Sequence, residues 1–294
     1  WVPDRVAALP RRSHCIRGPR TGKRATMRAM PYLTLDGRRL FYADHQPHAS
    51  GPALLLLHGA ASSHLVWPSP LRRLPDTRVL ALDLPGHGRS APPGRRMVAH
   101  YASAVRQFIE GIGLNKVVIA GHSMGGGIAL ALALEPPPAL LGIILIATTA
   151  HLRVNSALLS NCHAAFDSAA DFIVEHGFAQ APDALRGKTR QAIIDAGAVT
   201  TFGDFLACQQ FDARTRLAGV SLPALVISGS ADRMTPPRHV DALVDGLPHA
   251  RRIRIDGAGH FITLERPHEI AGHVIEFMKK VDSPRMNTAT DTYG

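Results

Sequence analysis

Lys116–Leu134 has the sequence KVVIAGHSMGGGIALALAL, and its pattern indicates the fold most directly. It opens with a short apolar run of strand length and strand-forming residues, passes through the pentapeptide Gly121–Gly125, and continues into an apolar helical segment that ends before Pro136. The pentapeptide fits G-x-S-x-G, in which a serine between a strand and a helix sits on a sharp turn with its hydroxyl exposed. This context predicts Ser123 as a nucleophile. The alternative is a glycine-rich turn whose serine caps the helix.

On both sides of Lys116–Leu134, short apolar runs alternate with helical patterns along the chain. The predicted strands are Tyr32–Leu35, Leu40–Ala43, Ala53–Leu57, Val79–Leu82, Val117–Ala120, Gly142–Ala147, Ala224–Ser228 and Arg251–Ile255. The first two flank the turn dipeptide Asp36-Gly37, which indicates a hairpin. Alternation of buried strands with helices is typical of βαβ units. The predicted fold class is therefore α/β, with a mostly parallel eight-stranded sheet flanked by helices.

Residues 151–216 interrupt this alternation. They contain no strand pattern and only Ala-rich helical segments, such as Ala164–Val174 and Gly187–Ala198. We interpret this stretch as a helical insertion into a core formed by residues 31–150 and 217–281.

The net charge of +10 is concentrated at the start of the chain. Residues 1–30 carry eight Arg or Lys and one Asp, which leaves a net +3 for the rest. A near-neutral body argues against nucleic-acid binding, and no apolar run is long enough to span a bilayer. We expect residues 1–30 to be a disordered basic extension, either foreign to the native protein, a functional arm or a presequence. Residues 282–294 are expected to form a flexible polar tail.

Three cysteines, Cys15, Cys162 and Cys208, stand at no metal-ligand spacing. We interpret them as free thiols in a reducing compartment. Because the start of the chain also lacks the apolar region of a secretory signal, the predicted location is the cytoplasm.

A serine hydroxyl needs a base, and the base needs an acid that fixes its tautomer. Of the 16 histidines, His260 stands out because it lies in a Gly-rich loop directly after the last predicted strand. Asp232 also follows a strand, in Gly229–Asp232, and is the predicted acid. Asp256 is the competing carboxylate, but it lies very close to His260 along the chain.

Acyl transfer also requires donors for a developing oxyanion. The strand Ala53–Leu57 runs into His58-Gly59-Ala60, a turn that can present a backbone N–H. The predicted donors are the N–H groups of Ala60 and Met124. In isolation, the same residues are equally compatible with a plain strand-to-loop turn.

With these motifs in place, residues 31–281 resemble the α/β-hydrolase superfamily, and within it the serine esterase or lipase-like members. The matching segments are the oxyanion loop Leu55–Gly59, the D-x-P-G-x-G-x-S turn Asp83–Ser90, the elbow Gly121–Gly125, the acid loop Gly229–Asp232 and the histidine loop Gly257–His260. The order Ser, Asp, His is also the family's. The resemblance implies that residues 151–216 form a cap over the active site. Since relatives that cleave epoxides or haloalkanes use an aspartate nucleophile, Ser123 indicates acyl chemistry instead.

The resemblance thus implies a carboxylesterase-like enzyme that cleaves esters with small to medium apolar groups through an acyl-enzyme on Ser123. No metal or cofactor is expected, and the expected partner is a small-molecule ester bound by a monomer or homodimer. The expected pocket residues are His122, Phe166, Phe172, Phe205 and Phe261. Three enzymes with the same triad remain open, namely a lactonase, a thioesterase and a carbon–carbon bond hydrolase, as does a ligand receptor with little turnover.

Overall fold

A computed structural model of the chain describes residues 31–283. Its strands are β1 (Tyr32–Leu35), β2 (Arg38–His45), β3 (Ala53–Leu57), β4 (Val79–Leu82), β5 (Val117–His122), β6 (Leu140–Ile146), β7 (Ala224–Gly229) and β8 (Ala250–Ile255). They form one sheet in the order β1-β2-β4-β3-β5-β6-β7-β8. The β1–β2 and β2–β4 pairs are antiparallel and the other pairs are parallel. The predicted mostly parallel eight-stranded sheet is confirmed.

Helices connect the strands and cover the sheet. They are α1 (Ser69–Arg72), α2 (Val98–Gly111), α3 (Met124–Leu134), α4 (Ser156–Ala164), α5 (Phe166–Gly177), α6 (Asp183–Ala196), α7 (Ala198–Gln210), α8 (Pro237–Gly246), α9 (Ile262–Glu265) and α10 (Pro267–Asp282). The expected tail from residue 282 begins slightly too early, because Asp282 still belongs to α10. The expected basic extension 1–30 and residues 284–294 lie outside the described residues.

The predicted opening hairpin is confirmed by the antiparallel pairing of β1 with β2, in which Leu35 faces Arg38. Asp36 and Gly37 both have positive φ, 49° and 74°. Two central residues with positive φ match the right-handed twist of the strands that they connect. The second strand begins before its predicted start because Arg38 and Arg39 are exposed and charged, so an apolar pattern does not include them.

Alternate residues of β5 separate two cores on opposite faces of the sheet. Val117 and Ile119 pack in one cluster with apolar residues of α2 and α3. Val118 and Ala120 pack in the other, with Trp67 and apolar residues of α1 and α10. Because both faces are covered, the central strands are apolar throughout, and this is why they could be recognised in the sequence.

The stretch predicted as an insertion contains four helices, α4 to α7, between β6 and β7. Two predicted helical segments run across real helix boundaries. The helical conformation is interrupted at Ala165, between α4 and α5. It is interrupted again at Gly197, whose φ of 81° ends α6. These helices build a third apolar cluster, which also includes Ala61 from the loop after β3 and Phe261 from the loop after β8. The insertion therefore packs directly on two loops at the carboxyl end of the sheet.

Candidate active site

The parallel strands β3, β5, β7 and β8 end at the same edge of the sheet, which is where α/β folds place their ligands. The loop after β3 carries Ala60, and β5 leads directly into Ser123. The loops after β7 and β8 carry Asp232 and His260. The topology thus gathers residues that are far apart in sequence.

Ser123 occupies the sharp turn between β5 and α3. Its φ of 53° and ψ of −117° are unusual for a residue with a side chain, and its side chain makes no hydrogen bond that caps α3. Such a backbone costs about 1–3 kcal/mol and persists only where the surroundings impose it. A Cβ atom on Gly121 would overlap the backbone of Gly125, and one on Gly125 would overlap that of Leu57. Both glycines are therefore needed for the tight turn, and the capping-serine alternative does not describe this geometry.

The Ser123 hydroxyl is joined to His260 and Asp232 in one chain of contacts. His260 Nε2 lies 2.9 Å from Ser123 Oγ, and His260 Nδ1 lies 2.9 Å from Asp232 Oδ2. The His260 and Asp232 side chains are almost completely buried. The competing Asp256 has a 94% exposed side chain and lies 4.0 Å from Arg254. The structure brings together the three residues that the sequence selects.

Asp232 is held in its ionised form. Burial alone would raise its pKa, but His260 and the hydrogen bonds from His260 and Thr235 outweigh burial, so the pKa lies below its ordinary value. Its carboxylate accepts hydrogen bonds from the backbone N–H groups of Met234 and Thr235 at 2.8 and 2.7 Å, and from Thr235 Oγ1 at 2.5 Å. An ionised acceptor at Nδ1 keeps the proton on that nitrogen and leaves Nε2 able to accept the serine proton.

The loop after β3 packs against the turn that carries the serine. A Cβ atom on Gly59 would lie 3.2 Å from Ser123 Cβ and 3.0 Å from His122 Nδ1. Within residues 31–283, neither the Ala60 nor the Met124 backbone N–H donates to another protein group. Both N–H groups are therefore available to a substrate oxygen, as an oxyanion hole requires.

A buried carboxylate that the sequence analysis missed supports this loop. Asp204, on α7, is fully buried and accepts hydrogen bonds from the Ala61 backbone N–H at 2.9 Å, from His87 Nε2 at 2.7 Å and from Tyr101 Oη at 2.7 Å. Ala61 has a φ of 52°, so a strained residue beside the candidate oxyanion donor is tied to the insertion. The available signal was a charged residue on the otherwise apolar face of α7.

His87 pairs with Asp204 as a cation. Its Nδ1 lies 3.0 Å from the Pro85 carbonyl oxygen and its Nε2 faces the carboxylate, so both ring nitrogens donate. Burial alone would lower the pKa of His87, but Asp204 and the Pro85 carbonyl outweigh burial and raise it. His87 thus contacts the carboxylate that holds the loop after β3, and it does not contact Ser123.

His122 is buried next to the nucleophile and stays neutral. Its Nε2–H donates to the His260 backbone carbonyl at 2.8 Å, which fixes the loop that carries the base. Burial lowers the pKa of His122 to about 3, with a further contribution from the nearby His260.

We expect this ring to make stability depend on pH. In the unfolded chain the ring titrates near 6.5. As the pH falls below 6.5 the unfolded state takes up a proton that the folded state refuses, so the ring's contribution is complete above 6.5 and is lost towards pH 3. In His122→Gln, whose amide still reaches the same carbonyl, the loss of unfolding free energy between pH 7 and pH 5 should be smaller by about 2 kcal/mol. Urea unfolding at the two pH values measures it.

His100→Gln, at an exposed position of α2, is the matched control for this measurement. Equal pH dependence of wild type and His122→Gln would contradict the assignment of His122 as a neutral buried ring.

An apolar cavity of about 340 Å³ opens at Ser123. Of the expected pocket residues, His122, Phe205 and Phe261 line it. Phe166 and Phe172 do not, and their prediction is corrected. Both are only partly buried against the core of the insertion, and the Phe172 ring stacks on His176 with centroids 3.9 Å apart. The insertion lines the cavity instead through α6 and through the neighbour of Phe172, Ile173.

The described residues also bear on whether the chain could bind a metal ion or cross a membrane. In the part of the chain that the structure describes, no group of three or more His, Cys, Asp or Glu side chains could hold a metal ion. None of the helices described between residues 31 and 283 combines the length and apolar character needed to cross a membrane.

Comparisons with known proteins agree with this geometry. The chain is 29% identical over 266 residues to the dihydrolipoyllysine-residue acetyltransferase component of an acetoin cleaving system from Cupriavidus necator, covering 84% of this chain and 68% of that protein. It is 27% identical to the uncharacterized hydrolase YugF of Bacillus subtilis, covering 84% and 97%. Among solved structures, a thermophilic esterase is 26% identical with a TM-score of 0.76, covering 85% and 97%.

The model of the alpha/beta hydrolase family matches residues 54–273, a range that runs from β3 into α10 and includes Ser123, Asp232 and His260. The chain belongs to the alpha/beta hydrolase family.

Proposed function

We propose that this chain is a serine hydrolase of the carboxylesterase type, which cleaves esters with small to medium apolar acyl or alcohol groups. One observation carries the proposal: the His260 ring lies 2.9 Å from both the Ser123 hydroxyl oxygen and the Asp232 carboxylate, at the mouth of an apolar cavity. Nucleophile, base and acid in hydrogen-bond reach are what acyl transfer through a serine requires. The hydrolase and the esterase among its relatives support the same chemistry.

In the proposed mechanism, His260 Nε2 accepts the Ser123 proton as Oγ attacks the ester carbonyl carbon. The Ala60 and Met124 N–H groups donate to the tetrahedral oxyanion. His260 then returns the proton to the leaving alcohol, and the acyl group stays on Ser123. Water, deprotonated by the same ring, attacks the acyl-enzyme and releases the carboxylic acid. Asp232 remains ionised and stabilises the imidazolium in both halves.

The size of the expected substrate follows from the cavity. A volume of about 340 Å³ is near the lower end for small-molecule sites and favours short to medium chains. Its apolar wall, with Ile173, Ile193 and Phe261, favours hydrocarbon over polar groups. The cap role of residues 151–216, the cytoplasmic location and the monomeric or dimeric state stay predictions from the sequence.

The test is a series of p-nitrophenyl esters from acetate to long-chain acyl groups, together with a fluorophosphonate, which phosphonylates activated serines with loss of fluoride. We expect turnover with short and medium chains that declines for long ones, and a phosphonyl adduct on the peptide containing Ser123. Labelling without ester turnover would redirect the assignment to lactones, thioesters or carbon–carbon substrates. Neither turnover nor labelling in a folded sample would favour a ligand receptor.

A further inference from the structure

A second, smaller cavity of about 60 Å³ also opens at Ser123. It shares four lining residues with the large cavity, among them Ser123 and His260. The rest of its wall is different and mixes apolar with polar residues, the latter including Thr149 and His151 from the loop after β6 and His239 from α8. The two cavities therefore meet at the nucleophile and diverge from it, as the two halves of an ester diverge from its carbonyl carbon.

The small cavity has the permanent cation of Arg153 in its wall. Arg153, His151 and His239 line it, and no Asp or Glu is among its described lining residues. Within residues 31–283, the side chains of Arg153 and His239 make no hydrogen bond or ion pair. Burial lowers the pKa of His239, and the nearby Arg238, Arg153 and His151 lower it further. The Arg153 guanidinium is therefore close enough to His239 to disfavour a second positive charge there.

The carboxylate beside His151 is already engaged. Asp212 lies 3.6 Å from His151 Nδ1, but its carboxylate is held by Arg214, with Nη2 at 2.6 Å and Nε at 2.9 Å. His151 Nδ1 itself lies 3.1 Å from the Phe211 carbonyl oxygen. Asp212 therefore does not compensate the charge of Arg153, which an anion in the small cavity would do.

We propose that the small cavity is a subsite for a carboxylate on the substrate. The substrate would then be an ester with an apolar portion in the large cavity and a short carboxylate-bearing portion beside Arg153. A carboxylate suits the planar guanidinium, which binds it through two parallel hydrogen bonds, and the small volume restricts the anionic portion to a short one. This inference rests on the proposed serine hydrolase function and adds its substrate class.

The test compares esters that differ only in charge. Carboxymethyl hexanoate carries the carboxylate on the alcohol side. The ester of hexanoic acid with glycolamide has an amide in place of that carboxylate and is its neutral counterpart of the same shape. Monohexyl succinate and hexyl succinamate form the matching pair for the acyl side. We expect wild type to prefer the anionic member of one pair by about tenfold in kcat/KM, and the pair concerned identifies the side that enters the small cavity.

Three variants locate the preference. Arg153→Gln should abolish the ratio between the anionic and neutral esters. Arg238→Gln, an exposed neighbour of His239 outside the cavity wall, should keep the ratio. Lys188→Gln should keep it as well, because Lys188 lines the large cavity.

Three outcomes would overturn the proposal. Equal rates within both pairs for wild type would show no anion preference. A preference that survives Arg153→Gln, or that disappears in Lys188→Gln instead, would place the anion elsewhere. In each of these cases ester hydrolysis itself persists and the proposed function stands, whereas absence of turnover with all four esters would remove the function and the subsite together.

Discussion

Replacement of Ser123 by alanine is expected to lower kcat for ester hydrolysis by about 10⁵-fold. The Ser123 hydroxyl oxygen lies 2.9 Å from His260 Nε2, and alanine removes the only atom that could form the acyl-enzyme. A residual rate above that in water remains expected, since oxyanion donors and substrate binding are retained. The measurement is steady-state turnover of the best p-nitrophenyl ester, with thermal unfolding followed in parallel.

The control for Ser123→Ala is Ser168→Ala, at an exposed position of α5, which should keep wild-type turnover and stability. Alanine accepts the same backbone as serine, so Ser123→Ala should remain folded even at a φ of 53°. A variant that retains more than about one per cent of wild-type turnover would exclude Ser123 as the nucleophile, because triad serines contribute far more than this. Loss of turnover in Ser168→Ala would point to a folding defect instead.

The sheet could be predicted because the apolar pattern of each strand is contained in a few consecutive residues. A parallel strand covered on both faces, such as β3, is apolar at every position and ends in a turn that contains a glycine, Gly59. Both Asp232 and Asp256 follow strands that end at this edge, and Asp232 could be preferred because Asp256 is very close to His260 along the chain. In the structure Asp256 lies in the tight turn after β8 and its side chain projects into solvent.

What the sequence did not reveal depends on contacts across long separations. Asp204 lies 143 residues from Ala61 and 117 from His87, and no spacing rule connects them. The prediction that Phe172 lines the pocket was wrong for a geometric reason. Neighbours on a helix point in different directions, so Ile173 faces the cavity while Phe172 stacks on His176. Size and hydrophobicity selected Phe172, but only the packing of α5 decides which side chain faces the substrate.

Substitution of Asp204 by alanine is expected to lower the free energy of unfolding by about 3–5 kcal/mol, because it leaves the buried His87 cation without its partner. It also removes the acceptor for the Ala61 N–H, and with it the restraint on the loop that carries the Ala60 donor. Loss of one oxyanion donor costs about 10²–10³ in kcat. Urea unfolding and steady-state kinetics would measure the two effects separately.

Asp204→Asn keeps the shape of the side chain and guards against a variant that fails to fold. An amide has one oxygen for three donors, so at least one of Ala61, His87 and Tyr101 loses its partner. We expect kcat to fall by about 10–100-fold with a smaller change in KM, as for an interaction that acts mainly in the transition state.

Tyr101→Phe is the matched variant that separates positioning from stability. It removes one hydrogen bond to the same carboxylate but leaves the Ala61 contact in place. Because the hydroxyl also accepts a hydrogen bond from the Arg95 backbone N–H, the cost should be about 2 kcal/mol in unfolding free energy, with kcat close to wild type. If Asp204 only stabilised the fold, Asp204→Asn would resemble Tyr101→Phe and leave kcat intact. A drop in kcat confined to Asp204→Asn would instead identify Asp204 as a positioning residue, through which the helical insertion sets the geometry of the oxyanion loop.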